Sequence, residues 1–344
     1  MSIRLTTLSL ILAATACTPT VSPSAETSPT VTQSAIDTTY WTEQPYCSGR
    51  YQLRLPSKRR HGSTHLDYNG WSVMVMFNDW KRNVRNINEF KQNGRAGTKI
   101  VVDTRTLIPG QAMMQVVRSD FAWERSITIK EKGMPYEAYL YFKLAYNDAY
   151  IVRSYFYIPA ENGKAPANWK AKEKELINGM EKKFRQDFIN GLKTRQEFEV
   201  PNRHGICLIG GFIEDNGKKP FEVHSTVEFA KQHDMSLEIM HGDVLKAGEA
   251  TLLQRKVNLG KGTMVKALTH TIRQGKRTIN GMSGEEKLVK WGGNKYMFFW
   301  ERDGGDPRIM MQFGAEKKDG TKRSEAEVLT IWDTVLPTLK PVKQ

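Results

Sequence analysis

The chain has 344 residues and a formal net charge of +14, with 51 Lys and Arg against 37 Asp and Glu. A folded body of about 300 residues is large for one hydrophobic core, so we expect two domains. A basic balance limits charge-driven partners to nucleic acid, anionic lipid headgroups or an acidic protein. The basic residues are spread in short clusters, at 58–60 and 317–323, which is typical of a solvated surface and does not favour nucleic acid.

The first 17 residues have the pattern of a secretory signal peptide. The single basic residue Arg4 precedes a short apolar run at 8–14, and small residues lead to Cys17. This run is too short to span a bilayer, which needs about 20 apolar residues. The arrangement resembles the lipobox of bacterial lipoproteins, whose cysteine is lipidated and becomes the new N-terminus. We therefore expect a lipid on Cys17, and the alternative is an ordinary signal peptide in which this cysteine is incidental.

Residues 18–39 are mostly Thr, Ser, Pro and Ala, with almost no large apolar side chain. Such a composition buries too little surface to offset its ordering entropy, so it predicts a flexible linker. Thr18 stands where lipoproteins retained at the inner membrane often carry Asp, so the inner face of the outer membrane is the favoured location. Export from the cytoplasm also argues against nucleic acid as a partner.

The next segment, 40–198, is predicted to fold as a sheet closed by a long helix. Alternating or aromatic-rich apolar runs predict its strands: 50–55, 71–77, 98–102, 111–117, 136–142 and 150–158. Apolar residues at helical spacing predict a helix at 79–92. A second, longer amphipathic helix is expected at 167–195, where the apolar stripe includes Trp169, Phe184 and Phe188.

The last segment, 199–344, repeats this plan. Its predicted strands are 205–213, 221–229, 236–240, 295–301 and 309–313, with less certain strands between them. An amphipathic helix is expected at 324–339, with Ser324 and Glu327 as a capping box. The fold class is therefore α+β, with two domains that each combine a mainly antiparallel sheet with a long amphipathic closing helix.

Three cysteines occur in the chain. If Cys17 carries lipid, Cys47 and Cys207 remain, each near the first strand of its segment. An even number of cysteines in an oxidising compartment favours a disulfide between them, and the alternative is two separately buried thiols.

The sequence contains no convincing catalytic constellation. Residues 281–284 lack the spacing of a nucleophile elbow, and 260–263 lack the upstream glycine of a phosphate loop, so both are interpreted as turns. The other candidates are widely spaced histidines and two carboxylate pairs interpreted as exposed loop residues: His224, His233 and His241; Glu285 with Glu286; Asp303 with Asp306. We expect no catalytic residue, no metal and no cofactor.

Several short motifs occur along the chain in the same order as in one known family. They are Cys47-Ser48-Gly49-Arg50-Tyr51, Gly205-Ile206-Cys207 with Gly211-Phe212-Ile213, 278–286, 299–301, 307–309, and the terminal helix with Ile331-Trp332-Asp333. Together they are similar to the N- and C-terminal domains of the Tli proteins. These are type VI secretion immunity proteins that neutralise phospholipase effectors, in the class cognate to the fourth lipase-effector family.

This resemblance implies a periplasmic inhibitor that performs no reaction. Such a protein binds a lipase delivered by another cell and blocks its catalytic access or its lid movement. A stable complex would bury on the order of 1,600 Å² of surface. We expect the residues that contact the lipase to lie on loops of both domains. The alternatives are an envelope lipoprotein enzyme or ligand-binding module acting on lipid or peptidoglycan, and a structural envelope lipoprotein.

Overall fold

The computed structural model describes residues 45–120, 133–144, 147–242, 249–255, 269–292, 294–304, 308–315 and 320–342. The expected signal peptide with Cys17, the linker at 18–39, the turn at 260–263 and Asp306 lie outside these residues. No helix within the described ranges is long and apolar enough to cross a membrane.

The first half of the chain contributes ten strands and two helices within the described ranges. The strands are β1 (Tyr46–Ser48), β2 (Tyr51–Leu53), β3 (Arg59–Tyr68), β4 (Trp71–Met76), β5 (Arg95–Ala96), β6 (Lys99–Ile108), β7 (Ala112–Ser119), β8 (Met134–Lys143), β9 (Ala149–Ile158) and β10 (Leu192–Thr194). Helix α1 spans Trp80–Asn93, and helix α2 spans Trp169–Phe184.

The second half contributes nine strands and one α-helix within the described ranges. Its strands are β11 (Gly205–Leu208), β12 (Gly211–Glu214), β13 (Phe221–Phe229), β14 (Ser236–His241), β15 (His270–Lys276), β16 (Gly284–Trp291), β17 (Lys295–Arg302), β18 (Ile309–Ala315) and β19 (Lys340–Pro341). Helix α3 spans Glu325–Val335.

One 13-stranded sheet runs through both halves, in the order β15-β16-β17-β18-β14-β13-β3-β4-β9-β8-β7-β6-β5. The halves meet where β13 pairs antiparallel with β3, from Phe221 opposite Tyr68 to Phe229 opposite Arg59. Two small antiparallel sheets, β1-β2-β19 and β10-β12-β11, accompany it. The predicted α+β class with mainly antiparallel strands is confirmed. The predicted boundary at 198 falls between β10 and β11, and the large sheet continues across it.

Both hydrophobic cores lie on the same face of the large sheet. Alternate side chains of a strand share a face, and on β13 the buried residues are the odd-numbered ones. Val223 belongs to the core of the first half and Val227 to that of the second. Helix α2 packs on the first core, where Phe184 stacks on Trp71 with ring centroids 4.2 Å apart. Helix α3 packs on the second core in the same way.

Both closing helices are shorter than the sequence predicted. Helix α2 ends at Phe184, a π-helical turn follows at Arg185–Ile189, and β10 begins at Leu192. The π turn keeps Phe188 buried beyond the end of the α-helix. The apolar stripe therefore continues through Phe188, Ile189 and Leu192, and this spacing is what predicted a helix to 195. Helix α3 has the predicted capping box at Ser324 and Glu327 and ends in a 3-10 turn, Leu336–Thr338.

Two other predicted elements differ in detail. Residues 205–213 form the hairpin β11–β12 rather than one strand, because Gly210 turns the chain with φ +75°. Strand β3 was not predicted, since its sequence alternates weakly and is rich in charged and polar residues.

Candidate protein-binding surface

A continuous row of side chains crosses the large sheet on the face opposite the cores. Each residue is the register partner of the next on eight successive strands, β7, β8, β9, β4, β3, β13, β14 and β18: Met113, Tyr141, Ile151, Met74, His65, His224, Met240 and Met310. Neighbouring strands lie about 4.8 Å apart, so the row is about 34 Å long. We call it the cross-sheet row.

The cross-sheet row is half-solvated although it is mostly apolar. Met74 is 38% exposed, while Leu66 and Val73 beside it point into the core and are buried. Helix α1 covers one end of this face, where the Gln115 side chain donates to the carbonyl of Ile87 (3.4 Å). Methionine is flexible and polarisable and adapts to varied partner surfaces. An open row of this kind is suited to protein contact.

A cluster around Arg153 lies next to this row on the same face. The Arg153 guanidinium lies over the ring of Tyr155, 4.9 Å from its centroid. Tyr155 and Tyr157 are 52% and 43% exposed. To the described residues Arg153 makes no hydrogen bond or ion pair, and its Nε is buried without a partner. The cluster therefore combines exposed tyrosines with an unpaired cation.

The carboxylates nearest to Arg153 in register are engaged elsewhere. Glu137 pairs with Lys99 and accepts from the Tyr139 hydroxyl. Asp67 lies 3.5 Å from the His65 Nε2, and its hydrogen bond raises the pKa of His65 against the opposing effect of burial. Burial, together with Glu137, raises the pKa of Tyr139. Within the described surface, no acidic group neutralises Arg153.

A groove of about 750 Å³ borders this cluster. Its wall includes Pro135 and Glu137, the register partners of Tyr157 and Tyr155. Its charged lining residues are the basic Arg95, Lys99 and Arg118 and the acidic Asp120 and Glu137. Arg95 pairs with Asp120 (2.7 Å). The groove extends the open face with a polar depression.

Cys47 and Cys207 form a disulfide in the structure. Cys47 on β1 and Cys207 on β11 are both buried, with Cα atoms 5.7 Å apart and 160 positions apart in sequence. Gly49 exchanges two backbone hydrogen bonds with Cys207, of 2.9 and 2.8 Å. The disulfide thus links the starts of the two halves.

Arg195, in the segment that connects the two halves, stabilises the same junction. Its guanidinium is 5% exposed, and burial lowers its pKa. It donates only to backbone carbonyls in the described structure, those of Cys47, Gln196, Glu197, Glu199, Leu208 and Gly211, at 2.7 to 3.4 Å. The sequence analysis missed this residue, and nothing in its sequence context distinguishes it from a solvated arginine.

The interpretation of Glu285 and Glu286 as exposed loop carboxylates is wrong. Both lie on β16 and are buried, pointing to opposite faces of the sheet because they are adjacent on a strand. Glu286 accepts from the indole N–H of Trp332 (2.7 Å) and so holds α3 to the sheet. Glu285 accepts from the backbone N–H of Leu253 (2.8 Å), which with Lys276 lowers its pKa despite burial.

The other candidate residues also have structural partners. The segment 281–284 belongs to a tight turn in which Asn280 and Gly281 both have positive φ, and the Asn280 side chain donates to the carbonyls of Pro337 and Leu339. His241 is buried between Tyr51 and Phe221, and burial lowers its pKa to about 3.

The remaining histidines and Asp303 lie apart from one another. His224 pairs with Glu238 (3.2 Å) on the open face, His233 lies in the exposed connection between β13 and β14, and Asp303 accepts from Lys276 and Ser283. The described residues contain no group of three His, Cys, Asp or Glu side chains placed to hold a metal ion.

Of the residues on the open face, only His224 was singled out from the sequence, as one of three widely spaced histidines, although a signal for the rest was present. Tyrosines stand at alternate positions on β8 and β9, at 139, 141, 155 and 157, where an outward strand face is normally polar. An apolar outward face marks a partner surface when it is contiguous.

Comparison with known proteins identifies the family of the second half. Residues 199–343 match the family model described as "Tle cognate immunity protein 4 C-terminal domain". This part of the chain matches the family that the resemblance named. The prediction that the protein is not an enzyme is confirmed as well, because the family comprises immunity proteins. No curated protein matches the chain.

Solved structures extend the likeness to the first half. The apo structure of the immunity protein TplEi of the type VI secretion system from Pseudomonas aeruginosa covers 90% of this chain and 100% of its own, with a TM-score of 0.62 and 16% identity. The crystal structure of a Tle4–Tli4 complex includes a chain with the same coverage and identity and a TM-score of 0.60. TplEi complexed with an "L" peptide gives a TM-score of 0.58. At this identity, the comparison shows a shared fold.

Proposed function

We propose, from the premise that residues 199–343 are a cognate immunity domain, that this protein is a periplasmic lipoprotein that binds and inhibits a phospholipase effector of a type VI secretion system. Inhibition protects the cell that makes it. The observation that carries the proposal is the family match over 199–343.

The described surface fits a binding protein. The cross-sheet row draws residues from both halves, so a partner seated on it contacts β4 and β9 as well as β13 and β14. The net charge of +14 favours fast association with an acidic partner. A protein of this size seated beside a lipase active site blocks substrate access or lid movement by steric exclusion, and needs no chemistry of its own.

Features of the sequence and the fold support the envelope as its place of action. The signal-like segment ends at Cys17, and the linker at 18–39 gives a lipidated protein reach from the membrane surface. The disulfide between Cys47 and Cys207 is of the kind that persists in an oxidising compartment such as the periplasm.

Co-purification with the phospholipase encoded beside its gene tests the inhibition. We expect the two proteins to elute as one complex and equimolar protein to abolish release of fatty acid from phospholipid vesicles. Heat-denatured protein is the control. Separate elution together with undiminished lipase activity would refute the immunity function.

Lipidation and location need their own experiment. Cells expressing the wild-type or the Cys17→Ser protein are labelled with a radioactive fatty acid and fractionated. We expect label and outer-membrane location only for the wild type, whereas the variant should not be labelled or membrane-bound. Equal membrane recovery of both proteins would contradict the anchor.

A further inference from the structure

We propose that Arg153 is the anchor point for the effector: its guanidinium receives a carboxylate of the effector beside the exposed Tyr155 and Tyr157, which follow it along β9 on the open face of the large sheet. This inference rests on the proposed function and names the surface and the chemistry through which the partner is bound.

The first argument is the state of the Arg153 side chain. A partly buried guanidinium normally satisfies its N–H groups with carboxylates or carbonyls, as Arg195 does with six carbonyls. Among the described residues, Arg153 makes no hydrogen bond or ion pair; its guanidinium lies over the Tyr155 ring, and its Nε is buried without a partner. A carboxylate arriving from a partner can accept from the terminal N–H groups of the guanidinium, which make no hydrogen bond to the described residues.

The second argument is that this protein's own acidic residues do not compete for Arg153. In the described structure Glu137 is held by Lys99 and Tyr139, and Asp67 by His65. The cation is therefore presented to a partner, flanked by tyrosines. Tyrosine and arginine are the residue types enriched in the energetic centres of protein interfaces.

The third argument is area. The cross-sheet row is about 34 Å long, and with the adjacent rows, which include Arg153 and Tyr155, the open face is about 20 Å wide. The product is about 700 Å², close to the roughly 800 Å² that a stable complex buries on each partner. We assign the effector to this face because the family match over 199–343 implies a protein partner, and a protein surface with a carboxylate among apolar side chains complements Arg153 and the methionines of the cross-sheet row.

The test is calorimetric titration of the purified effector with the Cys17→Ser chain, which carries no lipid. Arg153→Glu reverses the charge at the anchor point, and Arg153→Lys keeps the charge but loses the planar fork. Lys174→Glu makes the same charge change on the exposed surface of α2, which covers the opposite face. Circular dichroism melts show whether each variant folds.

We expect Arg153→Glu to weaken binding at least about 100-fold and Arg153→Lys about 10-fold, whereas Lys174→Glu stays within about twofold of the wild type. Should Arg153→Glu fail to fold, the exposed-site variant Tyr155→Ala replaces it, with an expected loss of about 10-fold. Inhibition of the lipase should decline in the same order.

The outcomes separate this inference from the proposed function. Tight binding by the wild type with equal binding by Arg153→Glu overturns the anchor and leaves the immunity function standing. No binding by the wild type overturns both. If Arg153→Glu instead abolishes binding to anionic phospholipid vesicles, or dissolves a dimer seen by sedimentation, while effector binding is unchanged, the face serves a membrane or a second copy and the inference is wrong.

Discussion

The disulfide between Cys47 and Cys207 should act mainly through the unfolded chain. In the folded protein the same junction is also held by the Gly49–Cys207 backbone pair and by Arg195. Breaking the disulfide therefore leaves the fold intact but frees the unfolded chain. We predict that the Cys47→Ala/Cys207→Ala variant folds, binds the effector as the wild type does, and is less stable.

The magnitude follows from the length of the loop. With 160 positions between the cysteines, the chain-entropy model gives a stabilisation of about 5 kcal/mol at 25 °C. Native disulfides typically contribute about 2 to 5 kcal/mol. With a urea m-value of about 3 kcal/mol per M, such a loss lowers the unfolding midpoint by about 0.7 to 1.7 M.

Urea unfolding followed by tryptophan fluorescence measures this shift. Both proteins carry Cys17→Ser, so that no third thiol exchanges with the pair. Each is unfolded with and without dithiothreitol. Reduction should lower the midpoint of the parent to that of the double variant and leave the double variant unchanged.

A double-variant midpoint within about 0.3 M of the oxidised parent would refute the entropic reasoning. A reductant-induced shift of equal size in the double variant would show that the effect lies elsewhere. Loss of effector binding by a folded, disulfide-free protein would show that the disulfide shapes the bound surface directly.

Three further predictions concern buried polar contacts. Asp187→Ala removes the acceptor for two lysines and the Trp71 indole and should destabilise the protein by about 3 kcal/mol in urea unfolding; a loss under 1 kcal/mol would contradict this. Trp332→Phe replaces the indole by a smaller phenyl ring, which leaves Glu286 without its indole donor, and should destabilise by about 1 to 2 kcal/mol or more; unchanged unfolding would refute it. Burial raises the pKa values of Asp187 and Asp333, but their hydrogen bonds to lysine or arginine outweigh burial and lower both pKa values. The stabilisation that these two carboxylates contribute is therefore present above the ordinary carboxyl pKa and is lost as pH falls below about 4. A melting temperature that does not decline between pH 5 and pH 3 would contradict this pH dependence.

Local patterns in the sequence predicted most strands because they depend on near neighbours. The aromatic alternation at 136–142 and 150–158 corresponds to β8 and β9, and 221–229 matches β13 residue for residue. The Ser324–Glu327 capping box is local in the same sense and is present. The α+β class follows from such patterns alone.

Long-range pairing could not be read from the sequence. The contact between β3 and β13 joins segments about 160 positions apart, and β3 itself has a polar sequence that suits a strand only because it is flanked on both sides. The buried state of Glu286 depends equally on Trp332, which lies 46 positions away. Neither the composition nor the spacing of β3 indicates that it pairs with β13, and the same holds for Glu286 and Trp332.

Arg195 and Arg153 carry the same side chain in a structural and in a proposed functional role. Arg195 and Arg153 both lie on or near strands and both lose solvent on folding. The first is enclosed by six carbonyls and holds the junction of the two halves, while the second is left against a tyrosine ring with a buried, unpartnered Nε. Stability gains nothing from an unsatisfied cation, since a buried polar group without a partner costs free energy. In the anchor role proposed above, the effector brings the acceptor that the described residues do not give to this guanidinium.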